Sequence, residues 1–150
     1  MPQAPLQIGQ TITTAGRTVG ESDINLFAGL VGDFTPIHMD EEFAKASPHG
    51  GRIAHGPLTM ATAIGLATQK DLFGERVLGL VNLSWDFSGA VRIGDTIRAR
   101  VTVTSVKPTS KPGRGLATYE LEVFNQSSLV IQRGRMLVVV LLDAESPRTV

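Results

Sequence analysis

Three histidines, His38, His49 and His55, fall within eighteen residues of one another, and Asp33 and Asp40 lie in the same stretch. Such a density of titratable groups around irregular backbone marks a candidate site. Asp33 and His38 are separated by a proline-bent segment. A carboxylate and an imidazole held together there can pass protons in both directions near neutral pH. The plainer alternative is that Asp33 caps a neighbouring helix end and His38 is a surface loop residue. A second feature is Ile53-Ala54-His55-Gly56-Pro57, which opens a helix. A helix start presents unpaired N–H groups and a partial positive charge, and beside a substrate carbonyl these stabilise an oxyanion. Gly56 allows close backbone approach there; a simple helix start, with His55 satisfying local backbone, is the alternative.

Other chemistries fit poorly. His38, Asp40 and His49 or His55 offer metal-ligand atoms, but their spacing gives no helical i, i+4 pair and no zinc pattern, so no metal is expected. No Gly-x-Ser-x-Gly elbow occurs, and Gly113-Arg114-Gly115 lacks the rest of a phosphate loop. With no cysteine, disulfides, Cys-ligated metals and a thiol nucleophile are excluded.

These residues must be positioned by regular elements. Residues 6–19 are β-tending and suggest a first strand. Gly20 as N-cap, with Glu21 and Asp23 in the first turn, opens a helix whose face is Ile24, Phe27, Ala28 and Val31, and Gly32 ends it. Pro36 keeps residues 33–38 out of a helix interior. A short helix is expected over 41–46 and a loop over 47–51. Residues 56–69 carry no charge, which predicts a helix buried on all sides. Four strands follow, over 77–87, 96–106, 116–124 and 129–142, with turns at Gly94-Asp95 and 111–115. In the first, the odd positions Val77, Val81, Leu83, Trp85 and Phe87 are apolar; Ile97, Ala99, Val101 and Val103 alternate cleanly in the second. Short connections predict a consecutive antiparallel meander. Wrapping that sheet around the buried helix gives an α+β architecture.

The chain has 150 residues, 42% of them hydrophobic, enough for one domain spanning 1–150 with a real core. Lys+Arg and Asp+Glu are 14 each; without a basic excess or stripe, nucleic acid is not an expected partner. No signal peptide or membrane-length apolar run is seen, so a soluble, cytoplasmic protein is expected.

Gly32-Asp33-Phe34-Thr35-Pro36-Ile37-His38-Met39-Asp40, Phe43-Ala44 and Ile53-Ala54-His55-Gly56 together resemble the hydratase 2 motif of MaoC-like dehydratases, the family of the R-specific enoyl-CoA hydratases. Its usual form is roughly G-D-x-N-P-x-H-x-D, x-x-F-A, I-x-H-G-x-L. Asn82 to Phe87 and Val91 to Thr96 are similar to the family's central strands and Gly-Asp turn. The resemblance covers residues 7–142. It implies the hotdog fold, a dimer or larger homo-oligomer, an acyl-CoA thioester substrate and no cofactor. It places catalytic roles on Asp33 and His38, and oxyanion or substrate-binding roles on Gly56, Thr35 and His55. The implied reaction is reversible hydration of a trans-2-enoyl-CoA to an (R)-3-hydroxyacyl-CoA. Three positions depart from the family: Thr35 for Asn, Ala61 near a common Ser, and Ala90 for a Pro. A hotdog thioesterase, a hydratase of a small dicarboxylyl-CoA such as mesaconyl-CoA, and a non-catalytic acyl-binding module are the alternatives. Arg52, Arg92, Lys107 and Lys111 are possible contacts for CoA phosphates, or solvated surface charges.

Overall fold

The structure, a computed structural model, describes residues 4–142; the expected span of 1–150 runs beyond them at both ends. Strands β1 (Thr11–Thr13) and β2 (Arg17–Thr18) stand where one strand is expected. Helix α1 (Glu21–Val31) follows, with the Gly20 N–H donating to the Asp23 carboxylate at 2.8 Å. Gly32 terminates α1 at φ 78°, a left-handed conformation that glycine adopts without steric cost. Pro36 tolerates the first turn of a helix, so it opens one short turn, α2 (Pro36–Met39). Helix α3 (Glu41–Ala46) is capped by Asp40, whose side chain accepts the Phe43 N–H at 3.0 Å. Asp40 is thereby a capping residue.

Helix α4 (Gly56–Thr68) buries Thr59, Ala63, Leu66 and Ala67 and packs against the sheet. The expectation that it is buried on all sides does not hold in the single chain. Pro57, Ala61, Gly65 and Thr68 face outward, because the sheet covers only one side of the helix. No helix among the described residues is long and apolar enough to cross a membrane.

Strands β3 (Val77–Phe87), β4 (Thr96–Pro108), β5 (Arg114–Phe124) and β6 (Val130–Leu141) carry the main sheet, ordered β1-β4-β5-β6-β3, with β2 also on β4. All these pairings are antiparallel. The clean alternation of β4 is realised: Ile97, Ala99, Val101 and Val103 are fully buried, facing the core with Ala117, Tyr119, Leu121 and Val123 of β5. Full burial of a Val or Leu side chain contributes about 1.5–3 kcal/mol, so this face dominates the stability of the sheet.

The consecutive meander is only partly realised. Strands β4, β5 and β6 form one, but β3 pairs with β6 at the far edge. Residues 88–95 are too long for a tight hairpin, and they cross the end of the sheet instead. They are fixed by Ser88 and Gly89 N–H bonds to Ile131 O and by an Ala54 N–H bond to Val91 O at 2.7 Å. As an edge strand, β3 leaves Leu78, Leu80 and Val81 about half exposed. Register shifts at Val77/Gly79 and Leu80/Asn82 break its odd-position pattern: Leu80 pairs with the buried Val138 and lines a cavity beside it, while Val81 does not.

Candidate active site

Asp33 follows the left-handed Gly32 directly, and its Oδ1 accepts two bonds from Thr35: the backbone N–H at 3.1 Å and the hydroxyl at 2.6 Å. Thr35 itself is extended, as a residue before proline should be. The Thr35 hydroxyl, then its N–H, hold the Asp33 carboxyl below its ordinary pKa. Asp33 is therefore an anion at neutral pH, an acceptor and not a donor.

His38 sits in α2 with 8% of its surface exposed, which removes it from the category of surface loop residues. Its Nδ1 lies 2.7 Å from Ile53 O. A carbonyl only accepts, so Nδ1 carries the proton and Nε2 of the neutral ring is a free lone pair. Burial pushes the His38 pKa down, favouring that neutral form. His55 stacks on it, with ring centroids 3.9 Å apart and planes 28° apart. The His55 Nε2 is 2.9 Å from Asp33 O and donates to it by the same argument, tying the start of α4 to the Asp33 backbone. The buried His55 Nδ1 has no partner among the described residues.

A carboxylate oxygen of Asp33 and one ring nitrogen from each of His38 and His55 all lie within 4.8 Å of one another. Stacked imidazoles aim their lone pairs in nearly parallel planes, and each ring already has one nitrogen on a carbonyl. That geometry suits proton handling better than the converging ligands of a tetrahedral metal site.

Beside this cluster lies a cavity of about 390 Å³ whose walls include His38, His49, Gly56, Thr59, Phe87 and Gln132, with residues 88–91 from the crossing segment. Gly56 is the first residue of α4, so its N–H has no acceptor within the helix. A Cβ on Gly56 would come within 2.8 Å of the Phe87 ring. Only glycine lets the backbone lie this close to the cavity wall.

The structure thus brings Asp33, Thr35, His38, His55 and Gly56 together, with His55 as backing and Thr35 as the clamp on Asp33. Ala61 faces away, lining a different surface pocket with Arg17 and Gln69. Ala90, by contrast, lines the 390 Å³ cavity. Arg52 is held by Glu41 at 2.8 Å and Glu21 at 2.6 Å and joins α1 to α3. Lys107 and Lys111 belong to the β4–β5 hairpin at the opposite end of the sheet from Gln132. Sequence reasoning missed Gln132, which is 1% exposed. Its Oε1 accepts the Trp85 Nε1–H at 2.9 Å and its Nε2 donates to Gly56 O at 3.3 Å. A lone glutamine on the inward register of β6 was the available signal.

The sequence model of the MaoC-like domain matches residues 3–124. The chain belongs to the MaoC-like dehydratase family. This MaoC-like chain is 44% identical over 103 residues to an (R)-specific enoyl-CoA hydratase of Rhodospirillum rubrum, covering 69% of each protein. It is 31% identical over 138 residues to an (R)-specific enoyl-CoA hydratase of Aeromonas caviae, covering 92% of this chain and 98% of the relative. Among solved structures, a double-hotdog protein of Mycobacterium tuberculosis matches it with a TM-score of 0.81 at 23% identity, over 97% of this chain and 44% of that one. That likeness concerns the fold alone, and the MaoC-like chain has the hotdog fold.

Proposed function

We propose that this MaoC-like protein is a hydro-lyase that adds water reversibly to a trans-2-enoyl-CoA, giving an (R)-3-hydroxyacyl-CoA. One observation carries the reading: a neutral His38 with a free Nε2 lies beside an ionised Asp33, at the N-terminus of the uncharged helix α4. The names of the Rhodospirillum and Aeromonas relatives support the reaction class.

In this mechanism the thioester carbonyl rests on the Gly56 N–H, which stabilises the enolate as negative charge develops. A water bridges Asp33 and His38. Asp33 accepts one of its hydrogens as a hydrogen bond and orients the oxygen toward C3. His38 Nε2 takes the other hydrogen as a proton while the C3–O bond forms. The imidazolium then delivers that proton to C2 as the enolate collapses. Atoms balance: the hydroxyl ends on C3, the proton on C2, and both catalytic groups return to their starting states. Thr35 keeps Asp33 ionised and fixed. No cofactor takes part, and a cytoplasmic setting suits a cysteine-free chain.

A second copy of the chain completes the proposal. The edge of β3 exposes Leu78, Leu80, Val81 and Phe87. A bare apolar edge invites pairing with another strand, and Phe87 places that edge next to Gly56. The working unit is then a homodimer with its sites beside the interface. The test is hydration of crotonyl-CoA by the protein and its loss in Asp33 and His38 variants.

A further inference from the structure

Two cavities lie along the same face of the β3–β6 pair, the second open toward the β3 edge. The first is the 390 Å³ cavity that includes Gln132 and Phe87. The second, of about 220 Å³, is lined by Phe73, Val77, Leu80, Met136 and Val138, with Thr68 and Gly74. Gln132, Gly134 and Met136 alternate along β6 on one face, so the two cavities are about 14 Å apart along the strand. Trp85 pairs directly with Gly134. Its indole lies across Gly134 so closely that any Cβ there would collide with the ring. The ring is clamped in that position by its Nε1–H bond to Gln132 Oε1. Trp85 and Leu83, which pair with Gly134 and Met136, therefore occupy the stretch between the two cavities; Trp85 is the one that reaches the catalytic side, through its bond to Gln132.

We infer that Trp85 is a specificity-determining residue that sets the acyl length this site accepts. The inference rests on the acyl-thioester reading of the catalytic cavity. With the indole in place, a short acyl tail ends against the Trp85–Gln132 pair. With the indole removed, the apolar cavity behind it becomes continuous with the catalytic one and takes the distal methylenes of a longer tail. Its walls are almost wholly aliphatic and aromatic, the chemistry that takes up a hydrocarbon chain. Gly134 is the matching requirement on β6, since no other residue leaves room for the ring.

The experiment compares wild type with Trp85→Ala and Trp85→Leu on crotonyl-, trans-2-octenoyl- and trans-2-dodecenoyl-CoA. Calorimetric binding of butyryl- and lauroyl-CoA runs alongside. Wild type should favour the shortest chain in kcat/KM and bind butyryl-CoA more tightly than lauroyl-CoA. Both variants should raise the dodecenoyl-to-crotonyl ratio at least roughly tenfold, the low end of what one methylene is worth in an apolar pocket. Adding Val138→Phe to Trp85→Leu refills the second cavity and should reverse the gain. Trp85→Leu keeps apolar volume at the site, so it decides the matter if Trp85→Ala fails to fold. Unchanged length profiles in a folded Trp85→Leu protein, in both rates and binding, would overturn the inference. The binding measurements need no turnover. A protein that hydrates nothing but shows the predicted shift in binding loses the hydratase reading and keeps the gate.

Discussion

The Nδ1 of His38 lies 2.7 Å from the carbonyl oxygen of Ile53, and this contact decides which nitrogen of the ring can act. The proton is spent on the carbonyl, so Nε2 keeps the free lone pair that the proposed mechanism uses as its base. The bond also joins α2 to the segment that leads into α4, since Ile53 is three residues before Gly56. His38 and the start of α4, the base and the thioester site of the proposed mechanism, are thus held by one short stretch of chain.

The first expectation concerns pH. Burial lowers the His38 pKa, so Nε2 stays unprotonated below the ordinary histidine value of about 6.5. The acid limb of kcat/KM should therefore fall below that value. Stability carries the same sign. Below about pH 6.5 the unfolded chain takes up the proton before the folded one, so His38 makes the protein lose stability as pH falls through that range, with no such loss above it. Denaturant titrations at neutral and mildly acid pH should show this loss, and His38→Gln should reduce it. An acid limb above pH 7 would count against this assignment.

Thr35→Val should weaken the clamp on Asp33. With the 2.6 Å hydroxyl bond gone, the Asp33 carboxyl moves back toward its ordinary pKa. Because its folded pKa is depressed, Asp33 contributes stability above its unfolded value and loses it as pH falls through the folded one. Removing the clamp should shrink that contribution. Turnover should fall by less than in Asp33→Asn, and Thr35→Asn, which restores a side-chain donor, should recover part of it. Steady-state kinetics of the three variants check the order.

Gly56→Ala places a methyl group against the Phe87 ring. Overpacking of this kind costs about 1–3 kcal/mol and shifts backbone. The expected result is a lower kcat together with a lower melting temperature. Truncating Phe87 to Ala in the same protein should restore much of the stability, as measured by thermal melts.

The β3 edge offers a test of assembly. Val81→Glu puts a charge into an exposed apolar strand edge. Light scattering should report a dimer for wild type and a monomer for the variant. A wild-type monomer would remove the proposed interface.

Much of this was legible in the residues. Gly32 and the period of Ile24 and Ala28 located α1, the charge-free run located α4, and strict alternation located β4 and its buried face. Asp33, His38 and Gly56 came from a motif whose proline and glycines dictate local backbone. The rest depended on long-range choices. Alternation says which face of β3 is apolar, but not whether its neighbour is β4 or β6. The length of residues 88–95 argues against a tight hairpin but does not name the neighbour. That choice builds the cavity wall, exposes the β3 edge and brings Gln132 to Gly56 across 76 positions. The outward stripe of Ala61 and Gly65 on α4 was equally hidden, since a helix without charge does not reveal how many sides its own chain covers.

The most direct test of the central claim is the rate of crotonyl-CoA hydration by wild type, Asp33→Asn and His38→Ala, with free CoA followed in the same reactions. The predicted result is hydration by wild type without release of CoA, and a drop of at least roughly 10²-fold in each variant, the low end for general acid–base catalysis. Equal rates in all three proteins, or CoA released from saturated and unsaturated substrates alike, would contradict it.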